Sequence, residues 1–277
     1  MWEAISEEKP LVIIGCGKMG GAMARGWLKA GLPESHLLVV DPVAARTGVE
    51  GISCSCVFPS MEELPANIYP SVIILAIKPQ IMDAVLPAVA ANMQGGPLII
   101  SVAAGTRIGY FSKSLGRDAP IVRVMPNTPA SIGCGITTLV ANDYVSESQR
   151  KLSEQLMKAV GKTVWLSSED QMNAVTALSG SGPAYVFHMV EAMAAAGSAM
   201  GLDDELAMTL ARETIAGAGA LLSHDTRSAK ILREEVTSPK GTTAAGLEVL
   251  MGADTNLSQL MRQTVRAAKK RGEELGS

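Results

Sequence analysis

The residues best suited to chemistry begin at a strand–helix junction. Leu11-Val12-Ile13-Ile14 reads as a buried strand and runs into Gly15-Cys16-Gly17-Lys18-Met19-Gly20, after which a helical pattern continues to Ala30. A Gly-x-Gly-x-x-Gly turn in that context accommodates a dinucleotide. The first glycine permits the tight turn, the second lets the backbone approach a pyrophosphate, and the third lets helix pack on strand. The helix start offers free N–H groups and the positive end of its dipole to the phosphates. Asp41 closes a second apolar run, Leu37 to Val40, 21 positions after Gly20, where a carboxylate can accept from an adenosine ribose. The glycines alone would also suit an ordinary turn in an α/β core.

Three more strand ends fall where an open α/β sheet binds ligands, beyond the carboxyl ends of its strands. One reads Ala76-Ile77-Lys78-Pro79, the next Ala103-Ala104-Gly105, the third Pro126-Asn127-Thr128-Pro129. Lys78 suits a cofactor ribose or phosphate, although a solvated loop lysine would look the same. The small residues leave backbone free to touch a flat ring. The prolines hold the Asn127 amide in a rigid turn. A last constellation, Val236-Thr237-Ser238-Pro239-Lys240-Gly241-Thr242-Thr243, precedes a helix opening at Thr243 or Ala244. It presents hydroxyls and N–H groups at a helix start, which suits a carboxylate ligand or plain capping.

The elements that must position these groups divide the chain. Strand candidates lie at 11–15, 37–40, 72–77, 98–103, 121–125, 135–141 and 163–166, with helical patterns between most of them. Such alternation gives a mainly parallel sheet covered by helices. Gly31 and Pro33 stop the first helix, and Ser146 with Gln149 forms a capping box. Beyond residue 167 no strand is predicted. A second capping box at Ser168–Gln171 opens helical patterns at 169–178, 183–201, 203–223, 226–235, 243–251 and 254–273. The expected organisation is an α/β Rossmann-type domain (1–167) followed by an all-helical dimerisation domain (168–277). The helix over 183–201 is apolar almost all round and must be covered. Gly197, Gly201, Gly217 and Gly219 cost helix propensity, which close helix–helix approach would offset.

Composition narrows the function. The formal charge is −3 with 18% charged residues, and no basic run is present, which argues against a nucleic-acid partner. His188 and Glu191 interrupt the most apolar helix, making it a poor membrane span. The acidic start does not read as a signal peptide. Cys16, Cys54, Cys56 and Cys134 lack metal-ligand or redox-pair spacing; Cys54 and Cys56 fit one face of a short strand. A cytoplasmic location and no metal are expected.

GCGKMG (15–20), AIKP (76–79), SVAAG (101–105), RVMPNTP (123–129), LSGSGPAYVF (178–187) and VTSPKGTT (236–243) together resemble the pyrroline-5-carboxylate reductase family, in order and over nearly the whole chain. The resemblance implies NADPH- or NADH-dependent reduction of 1-pyrroline-5-carboxylate to L-proline. It also implies a homodimer through the helical domain, with decamers in some members, and a substrate site that includes helical segments of the partner. It assigns the imine nitrogen to Thr243. The substrate carboxylate falls to the Gly241 and Thr242 N–H groups with Ser238, and an adenine-side contact to Ser60. The family usually has glycine where Lys240 stands, and small polar residues where Asp41 stands. A carboxylate there repels a 2′-phosphate and accepts from a 2′-hydroxyl, so NADH should compete with NADPH; Arg46 offsets this in part. His188 reads as a packed residue, and no acidic or histidine side chain in the motifs offers itself as proton donor. A 3-hydroxyacid dehydrogenase of the 6-phosphogluconate type shares the glycine pattern but needs a lysine motif not seen in 168–200. A nucleotide-sensing dimer without catalysis would not need the 236–243 loop.

Overall fold

The computed structural model describes residues 2–253 and 256–275. Eight strands form one sheet: β1 (Leu11–Ile14), β2 (Leu37–Val40), β3 (Val57–Phe58), β4 (Val72–Leu75), β5 (Leu98–Ser101), β6 (Ile121–Met125), β7 (Gly135–Ala141) and β8 (Gly161–Trp165). Their order is β3-β2-β1-β4-β5-β6-β7-β8. Neighbours are parallel except β6 with β7. The link between those two is a short 3-10 turn, too short for a crossover, so the chain must reverse. Six α-helices accompany the strands: α1 (Lys18–Lys29), α2 (Ala44–Thr47), α3 (Met82–Ala91), α4 (Ile108–Leu115), α5 (Glu147–Lys158) and α6 (Met172–Val175).

The central strands are apolar at successive positions because both faces of the sheet are covered. All four residues of β1, β4 and β5 are buried. One face packs against Met23, Trp27 and Leu156, the other against Leu86, Phe111 and Leu115. Buried Trp27 donates its indole N–H to the Leu156 carbonyl at 2.8 Å, which satisfies its one polar group. The Ser146–Gln149 capping box is formed in both directions.

The chain separates into two compact units, one up to Gly180 together with residues from Ala268, the other Ser181–Ala267. Among the described residues after Trp165 no strand occurs. The second unit holds α7 (Gly182–Ala199), α8 (Asp204–His224), α9 (Ala229–Glu235), α10 (Thr242–Leu250) and most of α11 (Leu257–Leu275). Gly197 has the close neighbour expected of it, since an added Cβ would stand 3.1 Å from the Ala207 Cβ. Gly201, at φ +95°, ends α7. Gly217 and Gly219 face open space and have no such explanation within the unit. Only Ala194 of α7 is buried, while Phe187 is 62% exposed and Met200 83%.

Several expectations need correction. Cys54 and Cys56 form a 3-10 turn, not a strand; Cys56 turns inward and Cys54 outward. The helix expected over 169–178 is three pieces: a 3-10 turn, α6, and a π-turn from Thr176 to Gly180. The Ser168 capping box does not form. Ser168 accepts from the Asp170 N–H, and Gln171 instead accepts from the Ser167 hydroxyl. The pattern begun at 226 becomes helix at Ala229, after Ser228 caps it. Positions 254 and 255 of the last expected helix lie outside the described residues, and α11 starts at Leu257.

Candidate functional site

The glycine loop joins β1 to α1 with little room to spare. Gly15 adopts φ +93°, and a Cβ there would stand 2.6 Å from the Ala76 carbonyl oxygen; one on Gly20 would stand 2.1 Å from that of Gly15. Gly17 differs. No atom lies within 4 Å of where its Cβ would be, and it is the N-cap of α1 without a side-chain cap. That leaves first-turn N–H groups of α1 facing open space, the volume and donor set a pyrophosphate needs. Lys18 is exposed beside this opening and Met19 is half-buried.

Asp41, at the end of β2, is tied into this loop. One carboxylate oxygen accepts from the Cys16 N–H at 2.8 Å. The other accepts from Val43 N–H at 2.8 Å and Ala44 N–H at 3.0 Å. Partial burial opposes ionisation, but the backbone donors of Cys16, Ala44 and Val43 outweigh it and hold the carboxyl below its ordinary value. A fixed negative charge therefore stands beside the loop. Burial first, then the Asp41 charge, pushes the neighbouring Cys16 thiol up, against the pull of Arg25, so it stays protonated at neutral pH. Arg46 donates from Nε to the Pro42 carbonyl. Ser60 is half-buried just after β3.

The remaining strand ends lie along the same edge. Ala76 and Ile77 are half-buried, with Lys78 and Pro79 exposed beyond them. Ala103 and Gly105 are buried and Ala104 is exposed. Asn127, expected at the cofactor rim, turns its side chain inward. Its Oδ1 accepts from the Ile136 N–H at 3.0 Å, its Nδ2 donates to the Ser179 carbonyl at 3.2 Å, and the residue is buried. Its polar groups are committed inward, pinning the β6–β7 reversal.

A cluster missed at the sequence level lies beside Gly105. Arg123, 2% exposed, pairs with Glu169 at 2.9 Å, and Arg107 meets Asp170 at 2.6 Å. With Lys269 they border a cavity of about 440 Å³. Arg123 belongs to the RVMPNTP run and Glu169 follows Ser168, but nothing in the sequence pairs the two.

In the second unit, Ser238-Pro239-Lys240-Gly241 is a tight turn closed by the Gly241 N–H donating to the Ser238 carbonyl at 3.0 Å. Lys240 has φ +60°, the one positive value among described non-glycine residues. Proline second and a left-handed residue third define a type II turn, which favours glycine at the third place. A lysine thus occupies the left-handed place that such a turn favours for glycine. Gly241 is crowded, since a Cβ would lie 2.3 Å from Ser238 Oγ and force that hydroxyl to turn away. It is also the N-cap of α10, which begins at Thr242 with no side-chain cap. Thr243 is therefore the second helical residue and not a cap. Ser238, Thr242 and Thr243 are exposed.

Among the described residues no three His, Cys, Asp or Glu side chains gather to hold a metal. No helix there is long and apolar enough to cross a membrane.

Residues 169–275 match the family model described as pyrroline-5-carboxylate reductase dimerisation. Residues 10–105 match one described as NADP oxidoreductase, coenzyme F420-dependent. A pyrroline-5-carboxylate reductase of Pseudomonas aeruginosa is 39% identical, with 96% of each chain covered. One of Haemophilus influenzae is 37% identical over 97% of this chain and 98% of its own. Among solved structures, a pyrroline-5-carboxylate reductase of Coxiella burnetii superposes with TM-score 0.88 at 33% identity, covering 98% of this chain and 99% of the other. The Plasmodium falciparum enzyme, solved with NADP bound, gives 0.81 at 29% identity, with 98% and 99% covered.

Proposed function

The chain belongs to the pyrroline-5-carboxylate reductase family, and from that premise we propose how its residues divide the NAD(P)H-dependent reduction of 1-pyrroline-5-carboxylate to L-proline. The reduced nicotinamide supplies a hydride to the C=N carbon, and a proton brings the nitrogen to the amine. Gly15, Cys16, Gly17, Lys18, Met19 and Gly20 bind the pyrophosphate, Asp41 faces the adenosine ribose, and Ser60 meets the adenine side. Ala76, Ile77, Lys78 and Pro79 with Ala103, Ala104 and Gly105 line the rest of the dinucleotide. Asn127 belongs to the same cofactor-binding rim, which its inward bonds hold in shape.

Ser238 with the Gly241 and Thr242 N–H groups holds the substrate carboxylate at the start of α10. The Thr243 hydroxyl bonds the imine nitrogen, orienting the ring for hydride attack. Where the neutral imine is attacked, negative charge builds on the nitrogen as hydride arrives, so a bond donated by the Thr243 hydroxyl strengthens and lowers the barrier. With no His, Asp or Glu among the motif residues 236–243, the imine arrives protonated or takes its proton from water. The exposed apolar face of α7 is the surface of a homodimer in the cytoplasm, and dimers of this kind can assemble into a decamer.

The observation that supports this reading is the turn at 238–241, which closes with a left-handed lysine and leaves Thr242 and Thr243 exposed at the start of α10. Purified protein is expected to oxidise NADH or NADPH only when pyrroline-5-carboxylate is present, with one proline formed per cofactor oxidised. Folded protein that makes no proline with either cofactor would refute it.

A further inference from the structure

Arg123 breaks the pattern of its strand. Ile121, Val122 and Val124 are fully buried hydrophobes, and Arg123 is nearly as buried as they are. Only its Nη1 donates, to Glu169 Oε1; Nε and Nη2 are buried without a partner among the described residues. Stability does not account for such a group. Apolar side chains of similar volume often serve as well as a buried ion pair, and unmet buried donors are costly.

The other bonds of Glu169 supply a reason. The same Oε1 accepts from the Ile108 N–H at 2.8 Å, at the first residue of α4. Its second oxygen lies 3.8 Å from Arg107 Nε. At the opposite end of that segment, buried Ser101 Oγ accepts from the Ala103 N–H at 3.2 Å, and Ser101 stands opposite Arg123 in the sheet. The segment that carries Ala103, Ala104 and Gly105 is thus fastened at both ends, once to its own strand and once to a carboxylate that Arg123 holds.

We propose that Glu169, oriented by Arg123, is a positioning residue that fixes the Ala103–Gly105 loop for the cofactor. This rests on the reading of that loop as cofactor-binding. Two full-length double variants test it without leaving a lone buried charge. Arg123→Met/Glu169→Leu removes the tie, whereas Arg123→Met/Glu169→Gln keeps a carbonyl that can accept from Ile108. Ile108→Pro removes the donor itself at a first helical position, where proline is tolerated, and stands in should the leucine variant fail to fold.

The leucine variant is expected to melt no lower than the parent and to exchange the Ile108 amide faster. Its NADH Kd should rise about three- to tenfold, the effect of one hydrogen bond. Ile108→Pro should show the same rise, and the glutamine variant should recover most of the affinity. A purely structural role would move melting temperature and not separate leucine from glutamine. Equal Kd values for the two double variants, or unchanged Ile108 exchange in the leucine variant, overturn the proposal and leave the cofactor reading standing. Faster exchange with unchanged Kd overturns both.

Discussion

The two units of this chain solve the burial problem differently. In the first, strands apolar on both faces are sealed by helices on each side, and every residue of β1, β4 and β5 is buried. In the second, α7 is apolar along most of its length, yet Ala194 is its only buried residue. The first unit carries the dinucleotide fingerprint on a scaffold that closes around itself. The second carries the loop proposed to hold the substrate, on helices whose apolar faces need a cover from elsewhere. Cofactor binding should therefore be a property of one chain, and turnover a property of the assembly.

Phe187→Glu attacks the contrast most directly, by placing a charge on the exposed face of α7. An unpaired charge in a dimer interface costs about 3 kcal/mol or more, a factor above a hundred in association. Sedimentation should show monomer at micromolar concentration, with activity falling in step.

The next largest effect belongs to Thr243. Because the N-cap of α10 is Gly241, Thr243→Ala should leave the melting temperature nearly unchanged. It should lower kcat by roughly tenfold to a hundredfold, the effect of about 1–3 kcal/mol of hydrogen bonding. Thr243→Ser should recover much of it. A lower melting temperature with intact kcat would return the residue to a structural role.

Asp41 tests the first unit on its own. Asp41→Ser should shift the kcat/KM ratio about tenfold toward NADPH by removing a charge near the 2′ position. An unchanged ratio would show that the carboxylate does not face the ribose. Its lowered pKa has a second consequence. The stability that Asp41 adds over Asp41→Asn is fully present above the unfolded value of about 3.9. It is lost as pH falls through the lower native value; denaturant melts of both proteins between pH 2 and pH 7, a range of about five units, should converge at the acid end.

The smallest effect is at Lys240. Lys240→Gly relieves a left-handed lysine, worth about 1 kcal/mol, but loosens the unfolded chain by nearly as much, so little net change in melting is expected. Lys240→Val should lower it, because a β-branched residue tolerates φ +60° poorly. Equal melting of the two variants would mean that the turn relaxes to another form.

What was legible in the sequence were features that local chemistry fixes. The glycine loop, the apolar strands and the Ser146–Gln149 box depend on neighbours in the chain and are all present, although the strands expected over 11–15, 72–77 and 98–103 end at Ile14, Leu75 and Ser101, and the one expected over 163–166 spans Gly161–Trp165. What escaped depends on distant partners. Ser168 and Gln171 have the spacing of a capping box, but the adjacent Glu169 side chain is drawn to Arg123 and Ile108, and the segment tightens into a 3-10 turn. The partners of the Asn127 amide, Ile136 and Ser179, lie outside its motif, so the sequence does not show them. Cys54 and Cys56 alternate like strand residues, but only Val57 and Phe58 find an edge to pair with. The family resemblance located the 236–243 loop, while the strain at Lys240 needed the backbone itself.

The contrast between the units is tested most directly by diluting the wild-type protein through dissociation. NADH affinity and proline formation are followed in the same samples. The account predicts that NADH affinity per chain stays constant while specific activity falls with the dimer fraction. Monomers that form proline at the undiluted rate, or NADH affinity that falls together with activity, would contradict it.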